Sequence, residues 1–410
     1  MVVLVVSLLS VSGCSSSSHY SSVDLALLPC EMGPAGGPAP FFYPLEFTAN
    51  GDFAYPEQMD RLKLRIARHQ FEDPPLYDLV VFLHGWNKNP FSAEADYQNF
   101  LCRLHARLRV LIRDEKASGG LIVVGLFWPS TIANTAQEAQ LLTPWSYYRM
   151  RSRADAIATR GLAGVFESLT PILENIKKRH VSSSASQRVS PLQDDNPGEN
   201  EPSISQRDYG GVRLKLIGHS FGGRMLVTSL EAMSRKETLV RFLLASGNVN
   251  VVLLNAAVPS TRFNWIAGSI LKAQADGPPG ATTMRSFLFN VHSFNDGANR
   301  VLFPIASLFD DDPVGCGAGA CGVPNYATIC VNSRGRIGPE LREPAPTPLP
   351  GVTVWNVDAS RIIFSHTDIY KGRVADLVSE LMYGSRQLQR VAAVATGPTA
   401  GRCLPAAPRP

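Results

Sequence analysis

The stretch Val212-Arg213-Leu214-Lys215-Leu216-Ile217-Gly218-His219-Ser220-Phe221-Gly222-Gly223-Arg224 decides the reading of this chain. Val212 to Ile217 reads as a strand, and Arg224 to Met233 continues in a helical pattern. Between them lies G-x-S-x-G, with Ser220 at its centre. Glycines at 218 and 222 leave room for a sharp turn that packs closely on its neighbours. A serine on such a turn projects above the sheet, beside the free N–H groups and positive dipole end of the helix that follows.

Working outward, Tyr77 to Leu83 and Leu121 to Phe127 read as buried parallel strands, as do Val249 to Leu254, Ser286 to Val291 and Val352 to Val357. From Phe41 to Phe71 the alternation of Leu62, Leu64 and Ile66 with Arg61, Lys63 and Arg65 predicts opening strands. Helical patterns cover Phe91 to Glu115, Thr143 to Lys178 and Asp368 to Met382. In the second of these Ile157, Leu162, Val165, Phe166, Leu169 and Ile172 fall near helical spacing, and Pro171 marks a kink or a fresh start. Strands alternating with helices predict an α/β fold with a mostly parallel central sheet and helices on both faces. The polar stretch 181–210 has no periodicity and reads as a disordered insertion in a domain spanning 41–390. Residues 391–410 read as a loose tail.

Composition bounds the partners. Hydrophobic residues are 45% and charged residues 18% of 410, and the formal charge is only +4 with no dense basic block, which argues against nucleic acid. Met1 to Val11 is too short an apolar run to span a bilayer but suits a secretory signal. Val11-Ser12-Gly13-Cys14 is similar to a bacterial lipobox, which predicts a signal over 1–13, lipidation of Cys14, a tether over 14–40 and residence at the bacterial cell envelope. No Lys or Arg precedes the run, a departure from that pattern. Cys30, Cys102, Cys316, Cys321, Cys330 and Cys403 then form an even set open to disulfides. Cys316, Cys321 and Cys330 fall in a Gly-rich segment read as loop. No CxxC pair or neighbouring His points to a metal, and no cofactor is expected. Gly317 to Gly322 matches G-x-G-x-x-G but lacks the strand and helix that a dinucleotide site requires.

A G-x-S-x-G joining a strand to a helix is the nucleophile elbow of α/β-hydrolases, in which the acid and then the histidine follow the serine in the chain. After Ser220 the histidines are His292 and His366. His366 follows the strand 352–357 and precedes the final helix, so it is the expected base. His219 adjoins the nucleophile but is placed wrongly for that role. Asp296, just beyond the strand 286–291, is the best-placed acid, with Asp310, Asp311, Asp312 and Asp358 as rivals. The N–H groups of Phe221 and of Trp86, in the strand-end His84-Gly85-Trp86, are the expected oxyanion donors.

The chain resembles an uncharacterised bacterial branch of the α/β-hydrolases whose pattern reads HGYN, FSWPS and HSMG. The counterparts here are His84-Gly85-Trp86-Asn87, Leu126-Phe127-Trp128-Pro129-Ser130 and His219-Ser220-Phe221-Gly222-Gly223. The segment with Tyr147, Tyr148, Arg153 and Asp155 is similar to the part after the family's WPS. The resemblance implies a Ser220–His366–Asp296 triad acting on acyl esters through an acyl-enzyme. Trp86 for Tyr and Phe221 for Met are departures that bear on the substrate pocket, for which Trp145, Tyr147, Tyr148 and Phe294 are candidate linings. A non-catalytic envelope lipoprotein using the fold as a scaffold, and an acyltransferase with the same triad, are the competing functions.

Overall fold

The computed structural model describes residues 41–69, 71, 78–86, 88, 90–111, 121–130, 143–187, 212–246, 248–275, 286–299, 326–331, 337–342 and 352–383. The strands are β1 (Phe41–Glu46), β2 (Asp78–Leu83), β3 (Leu121–Phe127), β4 (Arg213–His219), β5 (Asn248–Leu254), β6 (Ser286–His292), β7 (Tyr326–Val331), β8 (Ile337–Arg342) and β9 (Val352–Asp358). The helices are α1 (Pro56–His69), α2 (Pro90–Leu111), α3 (Thr143–Ala156), α4 (Ala163–Gln187), α5 (Phe221–Arg235), α6 (Thr238–Ala245), α7 (Ser260–Ala275) and α8 (Gly372–Tyr383). A π-helical turn, Ile157–Leu162, joins α3 to α4, and a 3-10 turn, Asp368–Tyr370, precedes α8.

The nine strands form one sheet in the order β1-β3-β2-β4-β5-β6-β9-β7-β8, every pairing parallel except β7 with β8. Both edge strands carry a proline, Pro44 and Pro339, at places where a missing N–H costs the ladder least. Period-two alternation sends successive side chains to opposite faces. Leu79, Val81, Leu83, Leu214, Leu216, Val251 and Leu253 join α1 and α3 to α7 in one core. Val80, Phe82, Ile217, Val252, Leu254, Phe289 and Trp355 join α2 and α8 in the other. Helices therefore cover both faces.

Connection handedness explains this division. The step from β2 to β3 runs one way along the sheet and the step from β3 to β4 runs back past β2. Right-handed crossovers in opposite directions lay their helices on opposite faces, so α2 and the α3–α4 pair diverge. The carboxyl ends of β2 and β4 form such a switch point, where open α/β sheets place their binding crevices.

Four expectations are corrected. Arg61 to Ile66 is helix, not strand: Met59, Leu62 and Ile66 are buried one turn or so apart, while Leu64 is 49% exposed. The alternation there was a coincidence of a helical face. Pro171 does not start a new helix: α4 continues through it, with the proline on the exposed side. That helix also runs to Gln187, into the stretch read as insertion from 181; residues 188–211 lie outside the described residues. Cys330 sits on β7 rather than in a loop, and Cys102 on α2 is disulfide-bonded. Among the described residues no helix is long and apolar enough to cross a membrane.

Candidate active site

Ser220 stands between the last residue of β4 and the first of α5, with φ +53° and ψ −119°. An L-residue reaches that conformation only under constraint, and the constraint is visible. The Ser220 N–H donates to the Leu254 carbonyl at 3.0 Å, tying the turn to the end of β5. Its carbonyl accepts from the N–H groups of Ala257 (3.1 Å) and Arg224 (3.2 Å). Glycine is demanded where the turn meets its surroundings. A Cβ on Gly218 would lie 2.7 Å from the backbone of Gly222 and Gly223, and one on Gly85 would lie 2.9 Å from the Ser220 Cβ.

That last contact places the β2 end directly against the Ser220 turn. The loop is fixed by Tyr97 on α2, whose hydroxyl accepts from the His84 N–H at 2.7 Å and donates to the Leu126 carbonyl at 2.8 Å. The His84 ring stacks on Trp128, and its Nδ1 bonds the Gly85 carbonyl at 2.7 Å. Burial pushes His84 down to about 4, so near neutral pH it is an uncharged donor to that carbonyl. Trp128 Nε1 donates to the His84 carbonyl at 3.2 Å, and the Ser130 hydroxyl exchanges hydrogen bonds with the Lys88 main chain. Arg153 donates to the Pro129 carbonyl, while Arg224 of α5 grips Asp155 through two bonds of 2.9 and 2.7 Å. The sequence motifs thus meet around one turn. Among the described residues the N–H groups of Trp86 and Phe221 have no acceptor.

Asp296 and His366 come together. His366 Nδ1 bonds Asp296 Oδ2 at 2.8 Å. Asp296 is completely buried, and its carboxylate also accepts from the Ala298 N–H (3.0 Å), the Asn299 N–H (3.2 Å) and Asn299 Nδ2 (2.9 Å). The same Asn299 amide donates to the Asn255 carbonyl at the end of β5. The loops bearing Asp296 and His366 are bound to each other: Ser293 Oγ donates to the Ile363 carbonyl (2.6 Å), the Phe294 N–H to Ser360 Oγ (2.8 Å) and Asn295 Nδ2 to the Ser360 carbonyl (2.8 Å). The rival Asp358 is engaged elsewhere, accepting from the Ser360 N–H and hydroxyl. His292 is buried, with its carbonyl taken by the Ala359 N–H.

One link is open. The Ser220 hydroxyl makes no hydrogen bond to His366 among the described residues. The two are nonetheless neighbours through His219, whose ring centroid lies 4.8 Å from that of His366 and whose Nε2 bonds the His366 carbonyl at 3.0 Å. Sequence reasoning assigned His219 no part; its backbone position was legible, but a bond reaching 147 residues along the chain carries no local signal. Asn299 and Tyr370 were missed for the same reason. Of the candidate pocket linings, Tyr147 is buried with its ring against Phe221, while Tyr148 and Phe294 are exposed. Cys14, the Trp145 side chain, Asn87, Asp310, Asp311, Asp312 and the 317–322 glycine run lie outside what is described. Among the described residues no cluster of His, Cys, Asp and Glu could hold a metal. Comparison with family models, with curated proteins and with solved structures returns no match for this chain.

Proposed function

We propose that the chain is a serine hydrolase of carboxylic esters built on the α/β-hydrolase fold. The observation that carries this reading is the strained Ser220 at a strand-to-helix turn, next to a hydrogen-bonded Asp296–His366 pair in the order serine, acid, histidine. In this mechanism Ser220 Oγ attacks the acyl carbonyl carbon as its proton passes to His366 Nε2. Asp296, saturated with donors, keeps the imidazole in the Nδ1–H form and stabilises the imidazolium. The tetrahedral oxyanion takes the N–H groups of Phe221 and Trp86. Collapse expels the alcohol with the proton from His366, and water, activated by the same ring, releases the carboxylic acid and frees Ser220.

The missing hydrogen bond from Ser220 to His366 is compatible with catalysis, because bonds of this kind often tighten only once substrate binds. It is also what a non-catalytic scaffold would present, and this is the second reading. Fluorophosphonate labelling separates them: wild type labels and Ser220→Ala does not. A folded wild type inert to the probe and to short- and long-chain esters supports the scaffold.

For localisation we propose export and lipid anchoring at Cys14 in a bacterial envelope, supported by the Met1 to Val11 run and by a disulfide at Cys102, which suits an oxidising compartment. Incorporation of labelled palmitate, lost on Cys14→Ser, is the expected outcome; a chain that never incorporates it refutes the anchor.

A further inference from the structure

We propose that His219, itself held by Tyr370, is a positioning residue that sets the distance between the base and the nucleophile by gripping the main chain of His366. The inference rests on the hydrolase reading above and adds a part to it. His366 lies in a turn outside any helix or strand, with three described ties. Its ring is bound to Asp296. Downstream, Asp368 accepts from the Phe364 N–H (3.0 Å) and the Ser365 hydroxyl (2.9 Å). The third tie is the bond from His219 Nε2 to the His366 carbonyl, and it comes from the nucleophile's own strand. His219 and Ser220 are consecutive, so this bond couples the two reacting side chains through one peptide unit.

The chemistry of the tie is fixed by its surroundings. A carbonyl needs a donor at Nε2, and Nδ1 must then accept; the Tyr370 hydroxyl lies 3.3 Å from Nδ1, with the phenol ring edge-on to the imidazole. Burial, and then the neighbouring His366, hold His219 well below the ordinary imidazole range, so it stays neutral. Burial raises Tyr370 above the ordinary phenol range, so it stays a donor. Both nitrogens being spoken for, His219 has none left for Ser220. As a neutral ring it also adds no positive charge beside the imidazolium that forms on His366.

Three variants and two readouts test this. His219→Leu removes the donor, His219→Gln offers an amide N–H to the same carbonyl, and Tyr370→Phe frees the tautomer. With an ester substrate, kcat of His219→Leu falls about 10- to 100-fold, the scale of a sub-ångström misplacement, with KM within about threefold. His219→Gln recovers most of the loss, and Tyr370→Phe falls between. Hydrogen exchange is the second readout: amides of residues 364–367 in otherwise intact protein exchange at least about tenfold faster in His219→Leu than in wild type. Unchanged exchange there overturns the proposal whatever the activity. So does an unchanged kcat in a folded His219→Leu, or an equal fall in the Leu and Gln variants with a matching loss of Tm. If wild type proves inert to esters while the exchange result holds, the hydrolase reading fails and the tie stands as a structural one.

Discussion

Replacing Gly222 with alanine probes whether the nucleophile turn presses on the end of β2. A Cβ there would stand 2.7 Å from the carbonyl carbon of Leu83 and 2.8 Å from the carbonyl oxygen of His84, with ordinary contact beginning near 3.4 Å. Neither neighbour is a side chain that can rotate aside, and the Leu83 carbonyl oxygen lies closer still, so the gap between α5 and β2 must widen by roughly 1 Å. Overpacking of this kind costs about 1–3 kcal/mol, and the helix preference of alanine over glycine returns about 1 kcal/mol. The expected net loss is anything up to about 2 kcal/mol, read as a lower urea midpoint. The functional effect is larger than the structural one. Widening moves Ser220 and the Phe221 N–H away from the Trp86 N–H, and a displacement approaching 1 Å costs about 10²-fold. The second-order rate of fluorophosphonate labelling therefore falls roughly 10- to 100-fold. Gly268, mid-helix on α7, is the control: its Cβ meets nothing within 4 Å. Alanine there raises stability by about 0.5–1 kcal/mol and leaves labelling alone. A Gly222→Ala protein that labels within threefold of wild type, at an unchanged midpoint, refutes the reasoning.

Lys215, wholly buried on β4 with its Nζ 3.2 Å from the Met382 carbonyl, is pushed by burial from 10.5 to about 7. Between those values the unfolded chain binds a proton that the folded chain has released, so stability climbs as pH rises through that window. Against Lys215→Met, wild type should gain about 2 kcal/mol between pH 7 and pH 9; parallel stability curves for the two would rule this out. Asp296→Asn is expected to keep the fold but cut ester turnover about 10³- to 10⁴-fold by releasing the imidazole tautomer, and turnover within tenfold of wild type would remove Asp296 from the triad. Tyr97→Phe strands the buried His84 N–H and Leu126 carbonyl, costing about 1–3 kcal/mol in urea denaturation, with slower labelling because the Trp86 donor loosens; a variant as stable as wild type would show that the bridge is dispensable.

Strands buried on both faces announce themselves, and β2, β3, β5 and the nucleophile strand were legible for that reason. The edge strand β8 was not. Ile337–Arg342 mixes Gly, Pro and charge, and belongs to a sheet only because β7 lies beside it. The helix Pro56–His69 was misread because Leu62, Leu64 and Ile66 alternate over a stretch too short to separate a period of two from one of 3.6. Its better marker was Pro56 at the first helical position with Glu57 behind it. In the site, Ser220 was legible because six consecutive residues encode the turn. Asp296 and His366 were legible because strand ends are where an α/β sheet presents side chains. The bonds made by Asn299, His219 and Tyr370 join distant segments, so no window of sequence contains both partners.

The loops after β6 and β9 are stitched together by Ser293, Phe294 and Asn295 to Ser360 and Ile363. Carboxylate and imidazole consequently ride as cargo on a single raft. Any displacement of that raft carries both passengers together and leaves them in register. The chain between residues 299 and 352 re-enters the sheet as β7 and β8, yet the knot that pairs the two loops is tied without a residue from either strand.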